Sequence, residues 1–570
     1  MTSFLATLPP CRAARHFSFG EKVSVLFLTV AALGALGFWA YVGFIMMTVE
    51  GPKQGGVYTE AVLGQPTYYN PLLLRMGAEG EAEANVTTLV YSGLFRADGK
   101  GGVVPDLAER YEVSDDGKTY TVYLRTNATW HDGERVTADD VVYTIHTIQD
   151  PRFTVSPALA HAWDGIAVER VDDFTVRFVL DKPFAPFVAA QLRVGILPEH
   201  IWGAVEPDAF TLAKANMQPV GSGPYKIHEN ATDDNGALVS TTLSRFRDYY
   251  GDAPYIDRIK FSFFATEDDA ITAFQTHQVM GVSVSANNVA RVSTQDGTTV
   301  VRRLSIPSTY AVFFNPLKSA ALAYSDVRTA LAMATDKKAI VDAVLHGEGQ
   351  ILTGPFVEGM TWYTDAQKAP AYDVEAAKKL LEQKGWKAGE DGIRAREGTV
   401  LRFTLVVPQW ESIVATADLL KQQWRAVGAD VQVHVLRSDE FRTVLSKRSY
   451  GALLFGQTYF AFDADPFAFW HSSQKDAPGL NFSQLTNKDI DKVLVEAQQQ
   501  RDEAKRAELY ATFNDLMAKN VPAVFLYTPY YLWVQSHRVH GVDVTRVSRP
   551  AERFATVGQW YVATRRVLKK

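Results

Sequence analysis

The stretch TWHDGERVTADDV, residues 129–141, packs a histidine, a tryptophan and four carboxylates into thirteen residues. Imidazole and carboxylate groups held side by side are what general acid–base catalysis needs, because a positioned side chain must give or take a proton. The first question is therefore whether these residues form a reaction centre or serve the local backbone.

Backbone signals account for most of the same residues. The pair Asp132–Gly133 predicts a turn. Thr137 stands three residues before Asp140, as in a capping box that starts a helix. Asp139 falls in the first helical turn, where the helix dipole favours an anion. We therefore predict that the stretch is structural rather than catalytic.

No other pattern in the chain specifies catalysis or metal binding. The histidines are scattered and no pair has HExxH spacing, while Cys11 is the single cysteine, so a disulfide or cysteine metal cage within the chain is excluded. The sequence has no GxSxG elbow, Walker loop or dinucleotide fingerprint. We predict no catalytic residues, no metal site and no cofactor; a paired-carboxylate hydrolase stays open as an alternative.

The bulk composition is that of a globular protein. The chain has 570 residues, 47% of them hydrophobic, and a formal net charge of −6. No overall basic field indicates a nucleic-acid partner. A prior of ~100–200 residues per domain predicts two to four folding units.

The N-terminal region predicts a membrane anchor. Residues 23–49 contain no charged side chain, and that run exceeds the roughly 20 apolar residues that span a bilayer and the ~7–15 of a signal-peptide core. Arg12, Arg15 and Lys22 precede it, which places the N-terminus in the cytoplasm and the body outside. We predict a cytoplasmic segment 1–22, an uncleaved single-pass helix 23–49 and a short flexible tether at 50–56. A removed signal peptide is the alternative.

The body alternates strand and helix patterns. Strands rich in β-branched and aromatic residues are predicted at 119–125, 174–180, 258–264 and 401–407. A helix is predicted at 326–347, with Asp326 as N-cap and Gly347 as stop, and two more at 373–386 and 501–520. Strands and helices without simple alternation predict α/β lobes with mixed sheets.

Several ordered blocks of sequence then resemble a known family. They are LVYSGLFRADGKGGVVPDLAERYEVSDDGKTYTVYLRTNATWHDGERVTADDVVYT at 89–144, GSGPYKI at 221–227, RFRDYYGDAPYIDRIKF at 245–261, DVRTALAMATDKKAIVDAVLHG at 326–347, DADPFAFWHSSQ at 463–474 and VPAVFLYTPYYLWV at 521–534. Over about residues 54–535 the chain resembles the family 5 extracytoplasmic solute-binding proteins of ABC transporters, which serve dipeptides, oligopeptides, nickel and related ligands.

The resemblance implies a fold and a function. The fold expected is α/β, the two-lobed periplasmic-binding-protein-like fold of type II in its large family 5 form, preceded by the transmembrane helix. Lobe I would comprise 54–312 and 521–570, and lobe II 313–520. The lobes would close on a peptide by hinge motion and deliver it unchanged to the ABC transporter permease. The protein would be a monomer and not an enzyme.

The resemblance also directs attention to the segment 459–470. Peptide-binding relatives carry an amine-binding aspartate four residues before the proline of a DP pair, a position that is Phe462 here. Asp463 comes one residue later, and a one-residue shift in a strand turns a side chain to the other face. Asp463 would therefore bind a ligand amine only if the loop bulges, and a turn carboxylate is the alternative. Asp465, which directly precedes Pro466, and Phe462 are further candidates for contact with the ligand.

Aromatic and amide side chains complete the predicted ligand contacts. Tyr459 and Trp470 would line the cleft, since aromatic rings offer apolar area with a polar edge; core packing is the alternative for both. Asn70 and Trp163 lie in segments that border the cleft in relatives. A non-peptide ligand (a nickel complex, an oligosaccharide or haem) stays open, as does a role as ligand sensor or scaffold.

Overall fold

A computed structural model describes residues 18–75, 77, 80–153, 157–293, 297–365, 369–463 and 465–569. Arg12 and Arg15, on which part of the N-terminal prediction rests, lie outside them, as does the single cysteine, Cys11.

Twenty-four strands are formed by the described residues. Their bounds are β1 Thr48–Lys53, β2 Val57–Leu63, β3 Phe95–Ala97, β4 Val103–Pro105, β5 Ala108–Val113, β6 Thr119–Leu124, β7 Ile166–Asp172, β8 Thr175–Leu180, β9 Tyr225–Thr232, β10 Leu238–Arg245, β11 Arg258–Phe264, β12 Gly281–Val284, β13 Thr299–Leu304, β14 Ser308–Phe314, β15 Gly349–Ile351, β16 Lys387–Ala388, β17 Arg394–Arg396, β18 Thr399–Val400, β19 Arg402–Pro408, β20 Asp430–Leu436, β21 Ala452–Thr458, β22 Ala523–Pro529, β23 Tyr531–Ser536 and β24 Ala563–Leu568.

Sixteen α-helices accompany them within the same described residues. Their bounds are α1 Phe19–Met47, α2 Glu81–Val90, α3 Ala138–Gln149, α4 Pro157–Ala162, α5 Phe187–Ala190, α6 Glu199–Trp202, α7 Glu267–Gln275, α8 Val289–Val292, α9 Ser325–Met333, α10 Lys337–Leu345, α11 Val374–Gln383, α12 Glu411–Arg425, α13 Ser438–Ser446, α14 Phe467–Trp470, α15 Lys488–Gln499 and α16 Glu503–Asn520. Short 3₁₀ helices cover Pro207–Leu212, Lys214–Asn216, Ser472–Gln474 and Pro550–Gln559.

A small unit consists of the described residues of Met1–Gln54 and Ala563–Lys570. By length and composition its helix α1 is able to cross a membrane, and none of its residues is buried. The strand β1 follows α1 directly and pairs antiparallel with β24, near the end of the chain. Part of the predicted tether is therefore a paired strand, because β24 supplies hydrogen-bond partners that the local sequence does not reveal.

The second unit, Gly55–Val562, contains two large sheets. The first has seven strands in the order β13-β23-β12-β2-β11-β10-β9, with β2 parallel to both β11 and β12 and the other pairs antiparallel. Its core is continuous with that of a four-stranded antiparallel sheet, β5-β6-β8-β7, in one hydrophobic cluster. We call the seven-stranded sheet and the elements packed with it the first lobe.

The second large sheet has six strands in the order β15-β22-β14-β21-β19-β20, again mixed. Successive residues of a strand point to opposite faces, and in β14 Val312 and Phe314 enter one core cluster while Ala311 and Phe313 enter another. This sheet is therefore buried on both faces, as its uninterrupted apolar strands require. We call it, with its packed helices, the second lobe.

Two connections join the lobes side by side. One leads from β13 to β14 and the other from β22 to β23, and each of these strands pairs with its counterpart in the same sheet. At the first connection Tyr459 N donates to Pro307 O at 2.8 Å. Beside the second, Arg303 binds Glu348 through two contacts of 2.6 Å.

The predicted elements are largely confirmed. The strands expected at 119–125, 174–180, 258–264 and 401–407 are β6, β8, β11 and β19, each within one residue at either end. The single helix expected at 326–347 was wrong: α9 and α10 are separate. Asp336 accepts from Ala339 N at 2.9 Å and so caps a new helix, and Asp326 lies in the first turn of α9 rather than at its cap.

Candidate ligand-binding site

The lobes touch through the segment 459–463 of the second lobe. A Cβ built on Gly101 of the first lobe, which has φ +99°, would lie 3.1 Å from the ring of Phe462, so this ring packs closely on the backbone at a position that favours glycine. The carbonyl oxygen of Phe462 accepts a hydrogen bond from Thr361 N at 3.0 Å. Phe462 therefore lies between the loop at Gly101 and the loop at Thr361.

Arg546 lies at the same junction. A Cβ on Gly359 of the second lobe, which has φ +93°, would be 2.5 Å from Nε of Arg546 in the first lobe. The backbone of Arg546 also forms isolated β-bridges with Lys100 and Ser305. Among the residues that the structure describes, its guanidinium has neither a hydrogen bond nor an ion pair. A partly buried cation is thus available between the lobes.

A second arginine connects the lobes directly. Arg193, from the first lobe, donates from Nη1 to Glu552 at 2.9 Å and from Nε to Ala189 O at 2.8 Å. Its Nη2 donates to the carbonyl oxygen of Phe460 in the second lobe. All three contacts need the forked guanidinium geometry, which a lysine does not offer.

Two further hydrogen bonds join the lobes. Ala185 N donates to Gln498 O at 3.0 Å, and Arg501 of the second lobe donates to Ser114 O at 2.9 Å. The lobes are therefore in contact at several points besides the 459–463 segment.

Asp463 is placed at this junction but already has a partner. Its carboxylate lies 3.4 Å from Nη2 of Arg506, whose guanidinium is 4.4 Å from the centre of the Trp362 ring. The Asp463 side chain is 28% exposed and that of Arg506 only 6%. Burial raises the pKa of Asp463, and the charge of Arg506 opposes that effect. A ligand amine would share the carboxylate with Arg506 rather than find it free.

Asp465 makes the contacts of a turn carboxylate, the role that was considered as the alternative for Asp463. It accepts from Phe467 N at 3.0 Å and from Gln498 Nε2 at 2.6 Å. Burial raises its pKa to about 6. The carboxylate holds the start of α14 and ties it to α15, so its contacts are those of a capping group.

The remaining predicted contacts are placed in packed regions. Tyr459 packs edge-on against Phe469 and donates to Pro355 O at 3.3 Å. Trp470 packs against Phe313 and Phe525 in the core of the second lobe. The structure thus brings Tyr459, Phe462, Asp463, Asp465 and Trp470 into one region, and Phe462 and Asp463 lie at the lobe junction.

Asn70 and Trp163 lie elsewhere in the first lobe, and both are buried. The amide of Asn70 binds Asn216 Oδ1 at 3.2 Å and accepts from Leu72 N at 2.9 Å. Trp163 packs against Phe178 and Phe187. As ligand contacts these two residues stay predictions.

The stretch 129–141 is structural, as predicted. His131 accepts from Gly221 N through Nδ1 at 3.2 Å and donates from Nε2 to Gly223 O at 3.0 Å. Burial lowers the pKa of His131 to about 4, so the ring is neutral and fixed in one tautomer. Asp140 accepts from Thr137 N at 2.8 Å. These side chains hold loops and a helix start.

Sequence reasoning missed Arg193, Arg546 and Phe460, whose ring is 55% exposed beside the lobe contact. A single arginine belongs to no sequence motif. Its contact between the lobes becomes visible only when segments far apart in the sequence lie next to each other in the fold. Within the described residues no group of three His, Cys, Asp or Glu side chains has the arrangement of a metal site.

Comparisons with known proteins give a consistent result. A model of the family described as bacterial extracellular solute-binding proteins, family 5 Middle, matches residues 102–479. The oligopeptide-binding protein AppA of Bacillus subtilis is 26% identical over 90% of this chain and 92% of its own length. The dipeptide-binding protein of Escherichia coli is 28% identical over 85% of this chain and 91% of its own.

The solved structures agree with the sequences. The structure of AppA from Bacillus subtilis in complex with a nonapeptide has a TM-score of 0.71 at 25% identity, covering 90% of this chain and all of that one. The two-lobed α/β architecture with mixed sheets predicted from the sequence is therefore confirmed.

Proposed function

Because the chain belongs to the family 5 bacterial extracellular solute-binding proteins, we propose that it is a membrane-anchored receptor that binds peptides between its lobes and delivers them to the permease of an ABC importer. Proteins of this family bind solutes and are not enzymes. The observation that carries the proposal is the lobe junction, where Asp463 and Arg546 supply opposite charges on facing lobes.

A peptide matches these charges. Its amine and carboxylate ends need an anion and a cation in a partly dry site, where charge-assisted hydrogen bonds are strong. Asp463 remains partly exposed and Arg546 has no partner among the described side chains. We assign the ligand amine to Asp463 and the ligand carboxylate to Arg546, and we keep Tyr459 and Phe462 as neighbours of the bound chain. Similarity to an oligopeptide-binding and a dipeptide-binding protein supports the same ligand class.

The lobe boundaries that we propose follow the sheets. The seven-stranded sheet receives strands up to Leu304 and again from Tyr531, whereas the six-stranded sheet takes Ser308–Phe314 through Ala523–Pro529. We therefore shift the predicted junctions at 312/313 and 520/521 to the two short connections at 305–307 and 530. Hinge motion would occur there, because few residues cross between the lobes.

The anchor is supported by the length of α1. Its 29 residues, Phe19–Met47, exceed the ~7–15 apolar residues of a signal-peptide core and are enough to span a bilayer. Thr48–Lys53 follows α1 without a linker and pairs with β24 over all six residues. We propose that α1 is retained, with the body on the extracytoplasmic side and the receptor monomeric.

Identification of the ligand that the protein carries out of its native cell tests the proposal. The full chain would be purified in mild detergent and released small molecules identified by mass spectrometry, alongside the variant Asp463→Asn. We expect peptides from the unmodified protein and fewer from the variant. A sugar, a haem or a nickel complex in stoichiometric amount would contradict the peptide assignment, and a chain lacking residues 1–47 would contradict the anchor.

A further inference from the structure

The C-terminal strand returns to the point where the anchor helix ends. In the β1–β24 pair, Thr48 is opposite Leu568 and Lys53 is opposite Ala563. Beyond the strand, Lys569 N donates to Met47 O at 2.9 Å, at the last turn of α1. The described end of the chain is thus fixed to the end of the anchor helix.

This position corresponds to the surface of a bilayer. The apolar run continues to Val49 without a charged side chain, and a helix of 29 residues is roughly 44 Å long, longer than a hydrocarbon core of about 30 Å. In the anchored topology proposed above, on which this inference rests, α1 ends at the outer headgroup layer. The paired strands begin there.

The charges of these strands are unbalanced. Lys53, Arg565, Arg566 and Lys569 are all exposed, and Glu50 is the only acidic residue of β1 and β24. Within the described residues none of the four basic side chains forms an ion pair. Arg566 instead donates to Thr48 Oγ1 at 3.2 Å. Lys569 lies at the helix end, and Arg566 and Arg565 are opposite Glu50 and Gly51. These two arginines are therefore about 10–13 Å from the helix end along a strand at ~3.3 Å per residue, and Lys53 is roughly 20 Å from it.

Exposed apolar side chains lie next to these charges. Leu568 is 70% exposed and Val49 is 44% exposed, and their strand partners are Thr48 and Val567. Apolar side chains beside cationic ones, continuous with a membrane-spanning helix, are the pattern of elements that lie in the bilayer interface.

We propose that the strand pair β1–β24 docks on the outer leaflet beside the anchor, with Arg565, Arg566 and Lys569 binding the phosphates of anionic phospholipids. Leu568 and Val49 enter the interface between headgroups and acyl chains. Both strands of the pair are then held at the membrane surface. We favour lipid over a protein partner because the surface is continuous with the helix that enters the bilayer and because its charge complements an anionic headgroup layer.

The test uses the full chain in nanodiscs of phosphatidylcholine alone and of phosphatidylcholine mixed with phosphatidylglycerol. Hydrogen exchange of the amides of β1 and β24 is measured in both. We expect at least about tenfold slower exchange with phosphatidylglycerol, and loss of that difference at high salt. Native mass spectrometry is expected to show phosphatidylglycerol retained on the protein.

Variants separate the basic side chains from the fold of the strands. The triple variant Arg565→Gln, Arg566→Gln and Lys569→Gln should lose the lipid dependence, whereas Arg565→Lys with Arg566→Lys should retain it. A matched control removes three exposed lysines of the second unit, at positions 379, 384 and 387, and should behave as the unmodified protein.

Three results would overturn the inference. Equal exchange in both lipids would do so, as would an unchanged difference in the triple variant, or protection that appears only when a partner protein is added. If instead the chain lacks residues 1–47 and does not enter nanodiscs, the anchored topology itself fails and the inference falls with it. Intact mass distinguishes that case from the others.

Discussion

Nη1 of Arg193 lies 2.9 Å from Oε1 of Glu552, and less than a tenth of either side chain is exposed. Burial would raise the pKa of Glu552, but the charges of Arg193 and Arg549 outweigh it and lower that pKa. This ion pair orients Arg193 so that its other terminal nitrogen reaches the Phe460 carbonyl of the opposite lobe. The ion pair between Arg193 and Glu552, within the first lobe, thus positions the hydrogen bond from Arg193 to the second lobe.

We expect Arg193→Gln combined with Glu552→Gln to weaken peptide affinity about tenfold, because the charged hydrogen bond from Arg193 to the Phe460 carbonyl joins the two lobes. Calorimetry measures the affinity. The single variant Arg193→Gln should in addition lower the free energy of unfolding by about 3 kcal/mol, since it leaves the buried Glu552 carboxylate with Arg549, at 3.4 Å, as its one cation among the described residues. Arg177→Gln, an exposed arginine paired with Glu169, is the control. Unchanged affinity in the double variant would show that the contact does not stabilise closure.

Asp463→Asn should weaken binding of a peptide with a free amine by about 1.5–3 kcal/mol. The same substitution should leave the affinity for the N-acetylated peptide unchanged, because that ligand has no charge to lose. Titration calorimetry with both peptides gives the comparison, with exposed Asp476→Asn as control. An equal loss for both peptides would mean that Asp463 acts on the fold and not on the amine.

Arg546→Gln should reduce affinity for a peptide with a free carboxylate by a similar amount and leave the C-terminal amide unaffected. The substitution removes the positive charge that would face the ligand carboxylate, and the glutamine amide can still donate a hydrogen bond. Exposed Arg538→Gln serves as the matched control. If the acid and the amide lose affinity equally, another group binds the carboxylate.

His131 makes the free energy of unfolding depend on pH. Its pKa falls to about 4 in the folded protein and is about 6.5 in an unfolded chain, so the unfolded state binds more protons between these values. Stability present above pH 6.5 is therefore lost as the pH falls towards 4, by up to about 3 kcal/mol. Urea unfolding at both pH values measures the loss, which His131→Asn should reduce and exposed His434→Asn should not. A slope identical in all three proteins would contradict this assignment.

Asp465 changes the stability in the opposite direction, because its contribution is lost as the pH rises. Its folded pKa of about 6 exceeds the ~3.9 of an unfolded aspartate, so its stabilising contribution is present below pH 3.9 and is lost as the pH rises through 6. We expect Asp465→Asn to raise the free energy of unfolding at pH 8 by up to about 3 kcal/mol and to change it little at pH 4. A destabilised variant at pH 8 would show that the ionised carboxylate is needed at the start of α14.

The family and several of the strands and helices could be predicted from the sequence alone. Local rules fixed the strands at 119–125 and 258–264 and the helix start at Thr137, because side-chain alternation and capping act between near neighbours. The single helix at 326–347 failed at the one place where a second capping residue, Asp336, interrupts an otherwise continuous apolar face.

Only the tertiary structure decided what brings distant segments together. Asp463 and Arg506 are 43 residues apart, Arg193 and Phe460 are 267 apart, and β1 meets β24 from opposite ends of the chain. No local pattern encodes such pairs, because their geometry depends on how whole sheets pack. The sequence therefore determined the elements and the kind of protein, whereas the packing of those elements decided which charges face one another across the lobes and which remain unpaired.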